Sequence, residues 1–233
     1  MNQKVKPCLS VVIPCFNEAE TIETLLRKVL QQNVVGQVIL VDDGSKDASV
    51  KIASSVKDSR LQIHQKEKNE GKGSAIKYGF SLVKLPYVVI QDSDLEYDPT
   101  EYEALLKPLL SGHADVVYGS RFLSSGARRA VYYWHRVGNK FLTSLSNMFT
   151  NIDLTDMETC YKMMKSEIAK DLQLKEKRFG LEPEITAKLS KLKIRIYEVP
   201  ISYYGRTYAE GKKITWKDGF SAIRCIIRYN IMN

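Results

Sequence analysis

Two periods of apolar residues alternate along the first half of the chain. Short, largely β-branched runs at Leu9–Ile13, Val38–Val41, Leu61–His64, Tyr87–Gln91 and Asp115–Tyr118 read as strands. Between them the spacing lengthens to that of amphipathic helices. Ile22, Leu25, Leu26, Val29 and Leu30 follow i, i+3, i+4, i+7, i+8. Ala48–Val56 reads as a second helix, and Gly73–Val83 as a third with Ala75, Ile76, Gly79 and Val83 on one face. A fourth helix has a defined start, with Asp98 as N-cap, Pro99 in the first position and Glu101 three residues after the cap. Tyr102, Leu105, Leu106 and Leu109 form its buried stripe, and Gly112 ends it.

The pattern changes after residue 121. Arg128–Phe149 predicts a long helix with Trp134, Val137, Phe141, Leu145 and Met148 on one side. Thr159–Met164 and Ile194–Val199 read as strands, and Thr215–Ile227 as a closing helix with Trp216, Phe220, Ile223 and Ile227 aligned. Repeated β-α alternation predicts an α/β fold, a mostly parallel central sheet with helices on both faces. There is no repeat, low-complexity stretch or linker. The expectation is one domain over 1–233, with the boundary near 121 marking a change of role and not a second domain.

In such a sheet ligands sit at the carboxyl ends of the strands, and that is where the polar clusters fall. Gln91-Asp92-Ser93-Asp94-Leu95-Glu96 follows the fourth strand, Pro14-Cys15-Phe16-Asn17-Glu18 the first and Asp42-Asp43-Gly44-Ser45 the second. Carboxylates spaced by one residue offer hard oxygens suited to magnesium or manganese, leaving positions for phosphate oxygens and water. Taken singly, each cluster is also explained as a turn or a helix cap, with Asn17, Ser45 and Asp47 as cap candidates. Three acidic clusters at successive strand ends are harder to explain as caps alone. Asn69-Glu70-Gly71-Lys72-Gly73-Ser74 lacks the P-loop spacing, but its glycines would let backbone amides approach a diphosphate at a helix start.

Composition narrows the partners. A net charge of +8 favours phosphates and anionic lipid. The basic residues form no single run, but they thicken from Arg121 through Arg128, Arg129, Arg136 and Lys140 to Lys188, Lys191, Lys193, Arg195, Arg206, Lys212 and Lys213. Cys8, Cys15, Cys160 and Cys225 form no C-x-x-C pair and read as reduced, mostly buried thiols. No secretory signal core and no membrane span is present, so a cytoplasmic protein is expected.

The blocks VVIPCFNEAETI, VDDGSKDAS, NEGKGSAI, QDSDLEYDP and DVVYGSRF resemble family 2 glycosyltransferases of GT-A fold, in particular the dolichyl- and polyprenyl-phosphate sugar transferases. The resemblance covers residues 9–122 and continues through DMETCYKMM, FGLEPEITAKL and EVPISYYGRTYAEGKKITWKDGF. It implies a nucleotide-sugar site lined by Pro14, Phe16, Asn17 and Glu18, with Asp43 at the base; Gly71, Lys72, Asp92 and Ser93 are further candidates for binding the nucleotide-sugar. It implies metal binding by Asp92 and Asp94 with Glu96 as a further ligand, an acceptor phosphate at Arg121, and Arg206 and Lys212 folding back onto the diphosphate. Residues 1–121 would be the nucleotide-sugar half and 122–233 the acceptor half.

The implied reaction is inverting transfer of a hexose, from a donor of uridine diphosphate-glucose or guanosine diphosphate-mannose type, to a polyprenyl or dolichyl phosphate. No nucleic acid is expected. Many lipid-phosphate transferases append membrane helices that this sequence lacks. The expected contact with an anionic membrane, on its cytoplasmic face, is therefore peripheral or through a membrane-protein partner, with Arg128, Arg129, Arg136, Tyr132, Tyr133 and Trp134 as the candidate surface. A sugar hydroxyl acceptor would instead need a base, for which Asp156 or Glu158 is the candidate. A sugar-phosphate nucleotidyltransferase is disfavoured, because Cys-Phe-Asn-Glu stands where a Gly- and Arg-rich loop is expected. A non-catalytic nucleotide-sugar binder has little need of Asp92, Asp94, Arg121 and Arg206 together.

Overall fold

The computed structural model describes residues 6–123, 129, 130, 132–178, 180–207 and 216–232. The seven-stranded sheet has the order β3-β2-β1-β4-β6-β5-β7. Its first four strands are β1 (Leu9–Cys15), β2 (Val35–Asp42), β3 (Leu61–Gln65) and β4 (Tyr87–Ile90), all mutually parallel. β1 is buried along its whole length, as a central strand covered on both faces must be. β5 (Val116–Ser120) and β7 (Ile196–Pro200) pair in parallel, while β6 (Lys162–Lys165) runs antiparallel between β4 and β5. The two proposed halves therefore share one sheet, because a strand from beyond residue 121 is inserted between two from before it.

The helices are α1 (Ile22–Leu30), α2 (Ser49–Ser55), α3 (Lys72–Ser81), α4 (Tyr102–Leu110), α5 (Tyr133–Thr150), α6 (Ser166–Asp171), α7 (Leu181–Ser190) and α8 (Trp216–Ile231). The stripe of α1 is buried as its spacing predicts. Asp98 accepts the Thr100 amide at 3.1 Å, but a single 3₁₀ turn (Pro99–Glu101) precedes α4. Glu101 does not reach back to the cap, since its Oε1 accepts the Ser202 amide at 2.8 Å.

The second half departs further from expectation. α5 begins at Tyr133, with Arg129, Ala130 and Tyr132 outside it, and Arg128 lies outside the described residues. Its aligned residues face outward for most of the helix, with Trp134 76% and Met148 70% exposed. The face turned inward carries Thr143 and Ser146. α6 and α7 have no counterpart among the helices that the apolar spacing predicts. α6 is only six residues long, and α7 is buried almost all round and so has no amphipathic period to read.

Candidate active site

β2, β1 and β4 are parallel neighbours, so Asp42-Asp43, Cys15-Phe16 and Gln91-Asp92 lie side by side at one edge of the sheet. The turn after β4 is held by buried Gln91, whose Oε1 accepts the hydroxyls of Tyr102 at 2.6 Å and Tyr161 at 2.7 Å. Leu95 takes a left-handed conformation, and the Glu96 amide donates to Asp94 Oδ1 at 3.2 Å. Thr21 at the head of α1 donates to the Ser93 carbonyl at 2.7 Å, tying the β1 loop to this turn. The result is a cavity of about 350 Å³, within the range of small-molecule sites.

The carboxylates in this cavity face cations of the same chain. Lys72 Nζ lies 2.8 Å from Asp92 and 3.2 Å from Glu182. Arg206 lies 2.8 Å from Asp94, 3.5 Å from Glu96 and 3.8 Å from Glu18. Burial, then the neighbouring Asp92 and Glu96, push the Asp94 carboxyl up to about 7 despite Arg206. Five acidic side chains thus share one ammonium and one guanidinium.

Among the described residues no three His, Cys, Asp or Glu side chains converge on a metal-ligand geometry. Two carboxylates suffice for a magnesium-type ion that keeps water and diphosphate oxygens in its other positions, so Asp92 and Asp94 fit such an ion. Glu96, expected as a further ligand, lines the same cavity with its carboxylate engaged by neighbouring groups. Its Oε2 accepts the Tyr203 hydroxyl at 2.7 Å and its Oε1 the Arg206 amide at 2.8 Å, so it orients those two residues.

Two other expected site elements are engaged by their neighbours in this structure. The Asp43 carboxylate accepts Lys66 Nζ at 2.6 Å, the Glu70 amide at 3.1 Å and the Gly71 amide at 2.6 Å, so it already holds the glycine turn in place. The Glu70 and Gly71 amides of that turn thus donate to Asp43, and the Gly73 amide donates to the Lys177 carbonyl at 2.8 Å. Gly71 has φ of +102°, and a Cβ there would strike the Lys177 carbonyl. The glycines admit residues 176–178, which brings Arg178 to the cavity wall.

Across the cavity, Arg121 forms a two-pronged pair with Asp156, Nε to Oδ2 at 2.7 Å and Nη2 to Oδ1 at 2.8 Å. Asp156 is fully buried and also accepts the Arg121 amide at 3.0 Å and Asn139 of α5 at 3.3 Å. The guanidinium lies 5.1 Å from the Tyr203 ring and 5.6 Å from the Phe122 ring. Asp156, one of the two candidate bases, is thus paired with Arg121. Glu158 lines the cavity, and burial, then the charge of Glu182, push its carboxyl up to about 8.

That shift sets a pH dependence. A carboxyl with a raised folded pKa keeps its proton while the unfolded chain loses it, so stability falls as pH rises from its ordinary value of 4.5 to about 8. Glu158→Gln is expected to melt higher than the parent at pH 8 and above and to match it near pH 4.5, which thermal melts across that range would check.

Of the residues singled out from sequence, Pro14, Phe16, Glu18, Asp43, Gly71, Lys72, Asp92, Ser93, Asp94, Glu96, Arg121, Glu158 and Arg206 line this one cavity. Asn17 does not. It takes a left-handed conformation, and its Oδ1 accepts the Lys46 amide at 2.9 Å, joining the β1 and β2 loops. Lys212 lies outside the described residues. The cavity also takes in Cys15, Asn69, Tyr97, Cys160, Arg178, Glu182 and Tyr203, which sequence reasoning did not assign. Glu182 lies in the family-like block FGLEPEITAKL and Tyr203 in EVPISYYGRTYAEGKKITWKDGF, and those blocks are the sequence signal for both.

The model of the family described as "Glycosyl transferase family 2" matches residues 10–173. The chain belongs to glycosyl transferase family 2. Glycosyltransferase AglJ of Haloferax volcanii is 29% identical over 84% of this chain and 63% of its own length. The undecaprenyl-phosphate 4-deoxy-4-formamido-L-arabinose transferase of Aeromonas hydrophila is 27% identical over 91% of this chain and 64% of its own length. The chain therefore spans somewhat under two thirds of either relative. Glucosyl-3-phosphoglycerate synthase of Mycobacterium tuberculosis, solved with manganese and uridine-diphosphate-glucose, aligns with a TM-score of 0.72 at 19% identity, over 96% of this chain and 79% of that one. This glycosyltransferase shares the GT-A fold with that structure, a mostly parallel α/β sheet surrounded by helices.

Proposed function

We propose that this glycosyltransferase moves a hexose, with inversion, from a nucleoside-diphosphate sugar to the phosphate of a polyprenyl or dolichyl lipid, using magnesium or manganese. The observation that carries the acceptor half is the Arg121–Asp156 pair, which fixes one guanidinium in the cavity that also holds Asp92, Asp94 and Arg206. Nε and Nη2 of Arg121 are bound by Asp156, and Nη1 makes no hydrogen bond among the described residues. A phosphate monoester with a second pKa of about 6 is largely a dianion at neutral pH and needs no base. It needs a cation to align it for attack on the anomeric carbon.

A divalent ion held by Asp92 and Asp94 would neutralise the departing diphosphate. Arg206 adds a further positive charge beside the same carboxylates. A hydroxyl acceptor is less well served, since Asp156 is held by Arg121 and Glu158 retains its proton at neutral pH. The experiment is a comparison of undecaprenyl phosphate with undecaprenol, offered with uridine diphosphate-glucose or guanosine diphosphate-mannose and magnesium or manganese. Hexose on the phosphate alone supports the reading, and equal use of the alcohol overturns it.

In this reading an anionic membrane on the cytoplasmic side lies against α5 and α8. No helix among the described residues is long and apolar enough to cross a membrane. The two helices pack together, and Tyr133, Trp134, Phe141, Met148, Phe220 and Ile231 are all exposed. α5 carries no acidic residue and includes Arg136 and Lys140, a charge pattern complementary to anionic headgroups. α5 also reaches the acceptor side of the cavity through Asn139. Each aromatic inserted contributes on the order of 2 kcal/mol. Trp134→Ser combined with Phe141→Ser is therefore expected to lower binding to phosphatidylglycerol vesicles at least ~10-fold in a sedimentation assay. Self-association of the parent through this face, abolished by the same changes, would point to a second copy as the occupant.

A further inference from the structure

Three parts of the cavity wall have a role in the reading above: Pro14 and Phe16 for the nucleotide, Asp94 and Arg206 for the diphosphate, and Arg121 for the acceptor phosphate. Beside Asp92, a further stretch of wall is made by Lys72, Cys160, Glu158 and Glu182. These polar groups come from the start of α3, the end of β4, the 156–161 turn and the first turn of α7. Lys72 bridges Asp92 at 2.8 Å and Glu182 at 3.2 Å. Glu158 Oε1 is buried and has no hydrogen-bond partner. An unpartnered buried oxygen costs about 1–3 kcal/mol, so a ligand supplying the missing bond is favoured.

We propose that this wall is the donor-sugar subsite, in which Glu158 hydrogen-bonds a ring hydroxyl of the hexose directly, beside the Lys72–Glu182 pair. The inference rests on the nucleotide-sugar reading and deepens it by naming the residues that recognise the sugar. The turn carrying Glu158 is rigid enough for the task. Buried Lys162 donates to the carbonyls of Met157, at 3.0 Å, and of Thr159, closing the turn on either side of Glu158. The Cys160 amide donates to the Tyr97 hydroxyl at 3.0 Å. Such support holds a side chain in the orientation a small ligand requires. Burial keeps the Glu158 carboxyl protonated at neutral pH, so it presents one donor and one acceptor, the pair that a sugar hydroxyl complements. A glutamine in its place offers the same pair.

The test separates the sugar from the nucleotide. Affinities of uridine diphosphate and uridine diphosphate-glucose, and of guanosine diphosphate and guanosine diphosphate-mannose, are measured by calorimetry with magnesium. The parent is compared with Glu158→Gln, Glu158→Met and Glu158→Ala. In the parent one sugar nucleotide is expected to bind ~10-fold tighter than its diphosphate, the scale of a good hydrogen bond made in a dry site. Glu158→Gln is expected to keep that increment. Glu158→Met and Glu158→Ala are expected to lose it while binding the diphosphate like the parent, which also certifies that they fold. If one of the two fails to bind the diphosphate, the other decides.

An increment that survives in both apolar variants, or is lost equally in Glu158→Gln, overturns the subsite. So does a parent that binds a diphosphate with no increment for its sugar. Failure of the parent to bind either diphosphate overturns the nucleotide reading itself.

Discussion

Asp94→Ala is expected to lower transfer on the order of 10³-fold, the scale seen when a group facing developing transition-state charge is removed. Metal-dependent nucleotide binding should disappear with it. The fold should persist, for a physical reason. Asp94 is held against Asp92 and Glu96 with its carboxyl pushed up to about 7, so removing it relieves repulsion. Arg206 keeps Glu96 at 3.5 Å and Glu18 at 3.8 Å as partners. Steady-state transfer, calorimetry with and without metal, and a thermal melt check the three parts separately. Full activity in this variant would remove the metal assignment.

The second large effect is at Arg121, where the substitution must be chosen with the buried pair in mind. Arg121→Ala leaves Asp156 fully buried and without its ion-pair partner, a loss of about 3–5 kcal/mol for a broken buried pair. That variant would confuse folding with catalysis. Arg121→Lys keeps the charge but cannot make the two-pronged contact with Asp156 or lie flat against the rings of Tyr203 and Phe122. It is expected to lower kcat/KM for the lipid phosphate ~100-fold, about 2.7 kcal/mol, while hydrolysis of the nucleotide sugar in water stays near the parent's rate. Equal losses in the two assays would argue against an acceptor role.

The first half of the fold was legible because its elements follow regular periods. The stripe of α1 and the apolar run of β1 lie where the pattern placed them. The second half was less legible because tertiary context overrides period there. α7 is buried almost all round, β6 is four residues long and antiparallel between strands remote in sequence, and the regular stripe of α5 faces outward where a core face would normally be inferred. At the site, the strand-end carboxylates could be read from sequence because strand ends are where the topology gathers ligands. What each carboxylate touches could not. Glu96 and Asp43 satisfy neighbouring groups, and Asp156 clamps Arg121 from a position 35 residues away. Those partnerships depend on the register of elements distant in sequence, which local pattern does not encode.

For a divalent ion to join a nucleoside diphosphate in this cavity, Asp92 and Asp94 would have to release Lys72 and Arg206 and hold the ion instead. Anomalous scattering from a crystal soaked with manganese and uridine diphosphate or guanosine diphosphate tests this most directly. The expected result is a manganese peak at coordination distance from both carboxylates and from the diphosphate. A bound diphosphate with manganese elsewhere, and with Asp94 still paired to Arg206 and Asp92 to Lys72, would contradict it.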